Sequence, residues 1–300
     1  MTVTKRAYCK INLTLEILGR ARSDGFHDLK TVMHKIPLGD IIEVCVCDGD
    51  GSVTLSCDKA LCDTKDNLAY KAAKVYLEAY SKNTGRSACV DIKLTKITPA
   101  GAGLGGGSAD AAAVLDALYE CIGGVTEEEV LLLACGLGSD VPFCLERYTC
   151  AYCTGRGEVC REISRLPKGV SVVIAKPVEG INTKGIYGVY DEKFGDDYTK
   201  SRSDDMEKAL LSASLSAVAG CITNDFECVC IPRLPEIETL KQHLISLGAV
   251  CSQMSGSGSA VFGLFDSEEK ARSAKESLDE IGLSEVFVFF PRDFKEMYGD

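Results

Sequence analysis

Three short stretches of this 300-residue chain combine residue types and spacings able to do chemistry. The first is "TPAGAGLGGGSADAAAVLDAL", Thr98 to Leu118, where Gly101, Gly103, Gly105, Gly106 and Gly107 fill five of seven positions. Glycine takes positive φ and lets a backbone approach a ligand closely. A strand, a glycine loop and then a helix N-terminus turn backbone amides toward a phosphate. A tight strand-to-helix turn without a ligand needs one glycine. The second stretch is "AYCKINL", which puts Lys10 and Asn12 two residues apart and so on one face of a strand. Position alone makes Lys10 a surface residue; its apolar neighbours and Asn12 make a pair that lines a site. The third is "LGSDVPF", with Asp140 after an amphipathic run and Pro142 two residues on. Taken alone, Asp140 reads as an Asx-turn or N-cap, with Pro142 just inside a short helix.

Two familiar phosphate loops fit poorly. The P-loop G-x-x-x-x-G-K-[ST] is missing, because Gly-Lys-Ser/Thr occurs nowhere. Gly101-x-Gly103-x-x-Gly106 matches the dinucleotide fingerprint, yet the next predicted element is a second helix from Glu127 to Leu137. That fingerprint requires another parallel strand.

The elements that position these residues follow from periodicity. "VTKRAYCKINLTLEILG", "LKTVMHKIPL", "DIIEVCVC" and "GSVTLSC" read as strands. Asp66 opens an amphipathic helix, "NLAYKAAKVYLEAY". "SACVDIKLTKI" is a strand into the glycine segment, and "SADAAAVLDALYECI" is the helix leaving it. Thr126 and Glu129 form a capping box for "EEEVLLLACGL". From about Arg156 the pattern restarts as strands and helices, ending on the strand "EVFVFFP". The fold class is α+β in two domains, 1–155 and 156–300, with the boundary within 145–165.

A formal net charge of −11 argues against a general nucleic-acid binder. No run approaches the roughly 18 apolar residues of a membrane span. The N-terminus shows neither a signal nor a transit peptide, so a soluble, cytoplasmic protein is expected. The 16 cysteines lack metal-site spacing: Cys150-Ala-Tyr-Cys153 is a lone C-x-x-C, and neither disulfides nor stoichiometric zinc are expected.

"PAGAGLGGGSADAAA" resembles the nucleotide loop of the GHMP kinases, the small-molecule kinases named for galactokinase, homoserine kinase, mevalonate kinase and phosphomevalonate kinase. Other segments agree in order: "AYCKINLTLEILGR", "RSDGFHDLKT", "DNLAYKA", "LGSDVPFCL", "TNDFE" and "MSGSGSAVFG". The resemblance implies an N-terminal domain like the second domain of ribosomal protein S5 and a ferredoxin-like C-terminal domain. It implies ATP as phosphoryl donor with Mg²⁺, the loop Pro99, Gly101, Gly103, Leu104, Gly105, Gly106, Gly107 and Ser108 cradling phosphates, and Asn67 at the adenosine end. Ser108 serves the β/γ-phosphates or Mg²⁺ in that reading, a helix N-cap is an equally physical one, and the magnesium ligands are unassigned. Lys10 and Asp140 take the catalytic roles, Asp140 as base, and "SGSGS" supplies a third glycine motif with Ser255, Gly256 and Gly258. The triple glycine and "DGFH" resemble the branch acting on a cytidine diphosphate-linked methylerythritol. They imply substrate contacts from Asn12 and Asp140, stacking of Phe26 and Tyr187 on cytosine, and a hydrogen bond from His27 to its edge. The expected partners are small molecules only, and the protein a monomer or homodimer.

Overall fold

The computed structural model describes residues 1–19, 25–59, 62–179, 185–194, 202–282 and 284–299. Asp24 of the expected turn and residues 180–184 of "GINTKGIYG" lie outside them. The chain divides into two compact units: Met1–Cys9, Leu38–Ala100 and Gly105–Tyr148 form one, and Lys10–Pro37, Gly101–Leu104 and Thr149–Asp300 the other. Strands β1 (Thr2–Ile17) and β2 (Leu29–Asp48) each contribute residues to both.

In the first unit, β3 (Val53–Cys57) runs parallel to β4 (Ala88–Thr95), and β4 pairs antiparallel with β2. The β4 sequence "ACVDIKLT" alternates buried and more exposed residues, the period-2 pattern of a strand with one face in a core. Two strands were expected where β2 is one. Gly39 explains the difference: a Cβ there would meet the Ala7 carbonyl oxygen at 2.6 Å, so the glycine permits a close backbone approach and needs no turn. Helix α1 (Leu68–Thr84) is capped by Asn67, whose side chain accepts from the Ala69 amide. The opening residue is therefore Asn67; Asp66 belongs to a preceding 3₁₀ turn. Helix α2 (Gly106–Ile122) buries a run of alanines, whose small side chains admit close neighbours. Helix α3 (Glu127–Leu137) carries the expected Thr126–Glu129 capping box, and the short α4 (Val141–Cys144) follows.

In the second unit, β5 (Cys150–Thr154) pairs with β2 and with β6 (Val159–Glu162). Cys150 and Cys153 sit three residues apart on β5, so their side chains leave opposite faces of the strand. Cys153 Sγ lies 3.3 Å from Cys160 Sγ on β6. The remaining elements are β7 (Ser171–Pro177), α5 (Ile186–Phe194), α6 (Ser203–Leu211), α7 (Leu215–Ala219), β8 (Thr223–Asn224), α8 (Glu227–Cys230), α9 (Glu236–Ser246), β9 (Cys251–Met254), β10 (Val261–Phe265), α10 (Glu268–Ile281), β11 (Ser284–Phe289) and α11 (Pro291–Tyr298). One four-stranded sheet has the order β11-β7-β10-β9, with every neighbour antiparallel. With α9 and α10 as its crossovers, this is the βαββαβ succession of a ferredoxin-like sandwich. Its core gathers Val173, Ala175, Leu240, Leu244, Val261 and Leu278. Helix α11 had no counterpart in the expected elements, although Pro291 at its start and Gly299 in the left-handed region at its end are ordinary helix punctuation. Among the described residues no helix is long and apolar enough to cross a membrane.

Candidate active site

In the second unit, β1 turns Lys10, Asn12, Thr14 and Glu16 to one face, and all four are buried. Buried polar groups need partners, and here they form a chain. Lys10 Nζ donates to Asn12 Oδ1 at 2.6 Å and to the Gly103 carbonyl at 3.0 Å. Asn12 Nδ2 donates to Thr31 Oγ1, which donates to the Thr14 carbonyl. These directions fix the Asn12 amide with its oxygen toward the ammonium. Further along, the Ser203 hydroxyl donates a hydrogen bond to the Glu16 carboxylate at 2.5 Å, and Glu16 also accepts from the amides of Arg202 and Ser203. Glu16 thereby anchors the start of α6.

Three sequence motifs meet at Lys10. The Lys10 amide donates to the Leu104 carbonyl, and the Ala260 amide donates to the Ala102 carbonyl. Segment Gly101–Leu104 is thus held on both sides. Ser255 Oγ donates to the same Gly103 carbonyl that Lys10 uses. Gly103 has φ +74°, and a Cβ there would sit 2.1 Å from the Ser255 carbonyl oxygen and 3.0 Å from the Gly258 nitrogen. No side chain fits. Gly256 is equally constrained, with φ +55° and a would-be Cβ 3.2 Å from Lys10 Nζ. The "SGSGS" turn is thus tied to the glycine segment. Asn224 holds it from below, its Nδ2 donating to the carbonyls of Met254 and Gly256, both at 2.8 Å. Asn224 stands in the "TNDFE" stretch, which the sequence marked without giving this residue a role.

The aromatic set is partly assembled. His27 is buried, its ring stacked on Tyr187 with centroids 4.6 Å apart, and Tyr187 meets Phe226 edge-on. His27 Nε2 lies 2.9 Å from Asp191 Oδ1, a partner that sequence spacing did not reveal, since the two are 164 residues apart. Phe26 is 46% exposed and packs under the Arg156 guanidinium, 4.6 Å from its ring centroid.

In the first unit the glycine segment continues into α2. Gly105, in the left-handed region, is the N-cap, and the helix begins at Gly106. Ser108 is therefore its third residue and not its cap. The Gly106, Gly107 and Ser108 amides belong to the first turn, where a helix has no carbonyl partners for its N–H groups. Gly107 lies beside α1: a Cβ there would be 3.8 Å from Leu68 Cδ1, next to Asn67. Asn67 Oδ1 is used in capping, which leaves its amide nitrogen as the group able to meet a base.

A buried clamp fixes this mouth, and sequence reasoning missed it. Lys96 Nζ donates to Asp110 Oδ2 at 2.7 Å and to Asp40 Oδ2. Asp40 Oδ1 accepts the amides of Ile97 and Thr98 at 2.6 and 2.7 Å. The end of β4, Asp40 of β2 and the first turns of α2 are joined through one ammonium. Burial opposes the Lys96 charge, but Asp110 and Asp40 outweigh it and hold its pKa above the ordinary lysine value. Burial pushes the Asp110 carboxyl up to about 7, against the pull of Lys96 and with the Asp40 charge adding to the rise. Both shifts reflect one arrangement, two carboxylates sharing one ammonium out of water. Its Oδ1 finds no hydrogen-bond partner. The alternation of β4 offered a signal: Lys96 continues the buried positions Val90, Ile92 and Leu94, a register where a lysine needs a counter-charge.

Asp140 occupies the N-cap position of α4, with Pro142 in the first turn, as expected. Its side chain makes no capping hydrogen bond to that helix.

The GHMP kinases N-terminal domain family matches residues 67–147, and the GHMP kinases C-terminal family matches 206–282. A 4-diphosphocytidyl-2-C-methyl-D-erythritol kinase of Clostridium beijerinckii is 38% identical over 94% of this chain and 98% of its own. One from Clostridium botulinum is 36% identical with the same coverage. A crystal structure of 4-(cytidine 5'-diphospho)-2C-methyl-D-erythritol kinase superposes with a TM-score of 0.77 at 31% identity, covering 95% of this chain and 98% of that one.

Proposed function

We propose a specific reaction for this chain, which belongs to the GHMP kinase family: transfer of the γ-phosphoryl group of ATP to the 2-hydroxyl of 4-diphosphocytidyl-2-C-methyl-D-erythritol, giving the 2-phosphate and ADP. The observation that carries it is the meeting of Lys10, Gly103 and the Ser255–Gly258 turn, three motifs far apart in sequence that share one carbonyl.

Phosphoryl transfer leaves little covalent work for a protein; positioning and charge stabilisation dominate. The bond between the substrate oxygen and the γ-phosphorus forms as the bridging bond to the β-phosphate breaks, and the hydroxyl proton goes to Asp140. An aspartate is a feeble base toward an alcohol, but it suffices when proton transfer is late. Lys10, preset by Asn12, stabilises negative charge on the reacting oxygens. The first-turn amides of α2 fit phosphate oxygens, since they point out of a helix N-terminus at glycines. Mg²⁺ bound with the nucleotide would neutralise phosphate charge, and Ser108 Oγ is the side chain we assign to it. Among the described residues no three His, Cys, Asp or Glu side chains gather to hold a metal. Magnesium commonly completes its shell with phosphate oxygens and water, so this donor set fits.

Phe26, His27 and Tyr187 are assigned to the cytosine, and Asn12 to the methylerythritol end. With Nε2 on Asp191, His27 would meet the base through Nδ1. The division into an ATP-binding part at 1–155 and a second domain at 156–300 is supported by the family matches falling on either side. We further read the protein as a cytoplasmic monomer or homodimer. The test is ADP release with product identification by phosphorus NMR, using the cytidyl substrate, methylerythritol 4-phosphate, and homoserine and mevalonate as other alcohols. Turnover confined to the cytidyl substrate supports the reading. Equal turnover of an alcohol without cytidine refutes it.

A further inference from the structure

The second unit also holds a cavity of about 620 Å³ that shares no residue with the groups above. It lies among loop 164–170, the end of α6, Ala213 and α11. Sites for small organic ligands have this size, commonly about 300–1,000 Å³. Its lining divides by chemistry. Leu166, Leu210, Phe294 and the Tyr298 ring supply apolar wall, while Arg165, Lys168, Arg292 and Lys295 supply charge. These four cations are exposed, and no Asp or Glu is among the lining residues. In a chain with 44 acidic and 33 basic residues, an average patch carries more acids than bases, so this one is reversed.

The walls are held by a buried side chain. His34 is fully buried, and its Nδ1 donates to the Lys35 carbonyl at 2.6 Å. Its Nε2 then accepts from the Leu166 amide at 3.2 Å and from the Tyr298 hydroxyl at 3.3 Å. One imidazole thus joins the loop to α11. Burial pushes the His34 pKa down to about 4, so the imidazole stays neutral and the cavity's positive charge comes from its rim. The Arg165 guanidinium lies 4.1 Å from the Tyr298 ring centroid, and Arg292 lies 3.8 Å from Asp293 on its own helix.

We propose that this cavity binds a phosphate or diphosphate ester carrying an apolar chain, with the chain against Leu166, Leu210 and Phe294 and the phosphate among the four cations. An inorganic anion would leave the apolar wall unused, and a neutral hydrocarbon would leave the cations unused. Guanidinium groups suit phosphate oxygens, which they grip in pairs.

The proposal is tested by calorimetric titration of the full chain with n-decyl phosphate below its micelle concentration. Saturable one-to-one binding is expected. Each buried methylene contributes roughly fourfold in affinity, so n-butyl phosphate should bind at least tenfold more weakly. Inorganic phosphate and uncharged n-decyl glucoside should fall at least as far. The double variant Arg165→Ala/Lys295→Ala should weaken n-decyl phosphate tenfold or more while leaving kinase turnover without the probe unchanged. Leu211→Asp, at a lining position 68% exposed and so tolerant of charge, should also weaken it. Equal affinity for butyl and decyl phosphate, or undiminished binding by both variants, would overturn the proposal. So would self-association abolished by the same substitutions without any decyl phosphate binding, which would assign the face to a second copy of the chain.

Discussion

Lys10 and Lys96 are the same residue type, each on or just past a strand and each less than a tenth exposed, yet they do different work. Lys96 donates hydrogen bonds to two carboxylates that are themselves buried. Lys10 is tied to the Asn12 amide oxygen and to the Gly103 carbonyl of the glycine segment. A carboxylate grips an ammonium strongly, and removing either partner strands a charge. A lysine held against a glycine segment, where backbone can approach a phosphate closely, is placed to share its donors with that phosphate. Burial alone does not separate a structural lysine from a chemical one. The segment each is tied to does.

The largest effect is expected where the chemistry is proposed. Asp140→Asn keeps the shape and removes the base, so kcat should fall by about 10²–10⁴. Because asparagine keeps the size and shape of the side chain, the unfolding midpoint should move far less than the rate. Steady-state kinetics beside a urea titration checks both, and a stability loss to match the activity loss would make Asp140 a structural residue.

Next comes the clamp. Lys96→Met leaves Asp40 and Asp110 buried together without their ammonium and should destabilise the fold by about 3–5 kcal/mol. Equilibrium urea unfolding measures it. A loss below about 1 kcal/mol would mean that the clamp adds no stability beyond what its carboxylates cost.

The third effect is on recognition. His27→Ala removes a buried ring stacked on Tyr187 and paired with Asp191. A lost buried hydrogen bond costs about 1–3 kcal/mol, so KM for the cytidyl substrate should rise roughly 5- to 150-fold with little change for ATP. Equal rises for both substrates would show that His27 lies outside base recognition.

Sequence reasoning reached the glycine segment, Lys10 with Asn12 and the Thr126–Glu129 box because each has a local signature: composition, period or spacing. It placed the start of α2 two residues late, since three glycines look like loop until a left-handed Gly105 is seen to start the helix behind it. Gly39 misled for a related reason, because a glycine that admits a neighbouring strand looks the same in sequence as one that turns the chain. The clamp, Asp191 beside His27 and the role of Asn224 were invisible. Their partners are 14 to 164 residues away, and only the fold brings them together.

A further effect concerns pH. The folded pKa of His34 is depressed by burial to about 4 from an ordinary 6.5. Between these values the unfolded chain binds the proton and the folded one does not. Stability from this group is therefore present above about pH 6.5 and is lost as pH falls toward 4, by at most a few kcal/mol. Urea unfolding across this window should show the slope in the wild type and a shallower one in His34→Gln. Identical slopes would remove His34 from the acid response.

The most direct test of the contrast between the two lysines is single-turnover phosphoryl transfer by Lys10→Met, measured beside its thermal unfolding. The variant removes the charge and keeps most of the stem. The rate should fall by about 10²–10³, as for a lost electrostatic donor, while the melting temperature drops far less than in Lys96→Met. Undiminished transfer, or a loss explained by an unfolded Lys10→Met protein, would contradict the account.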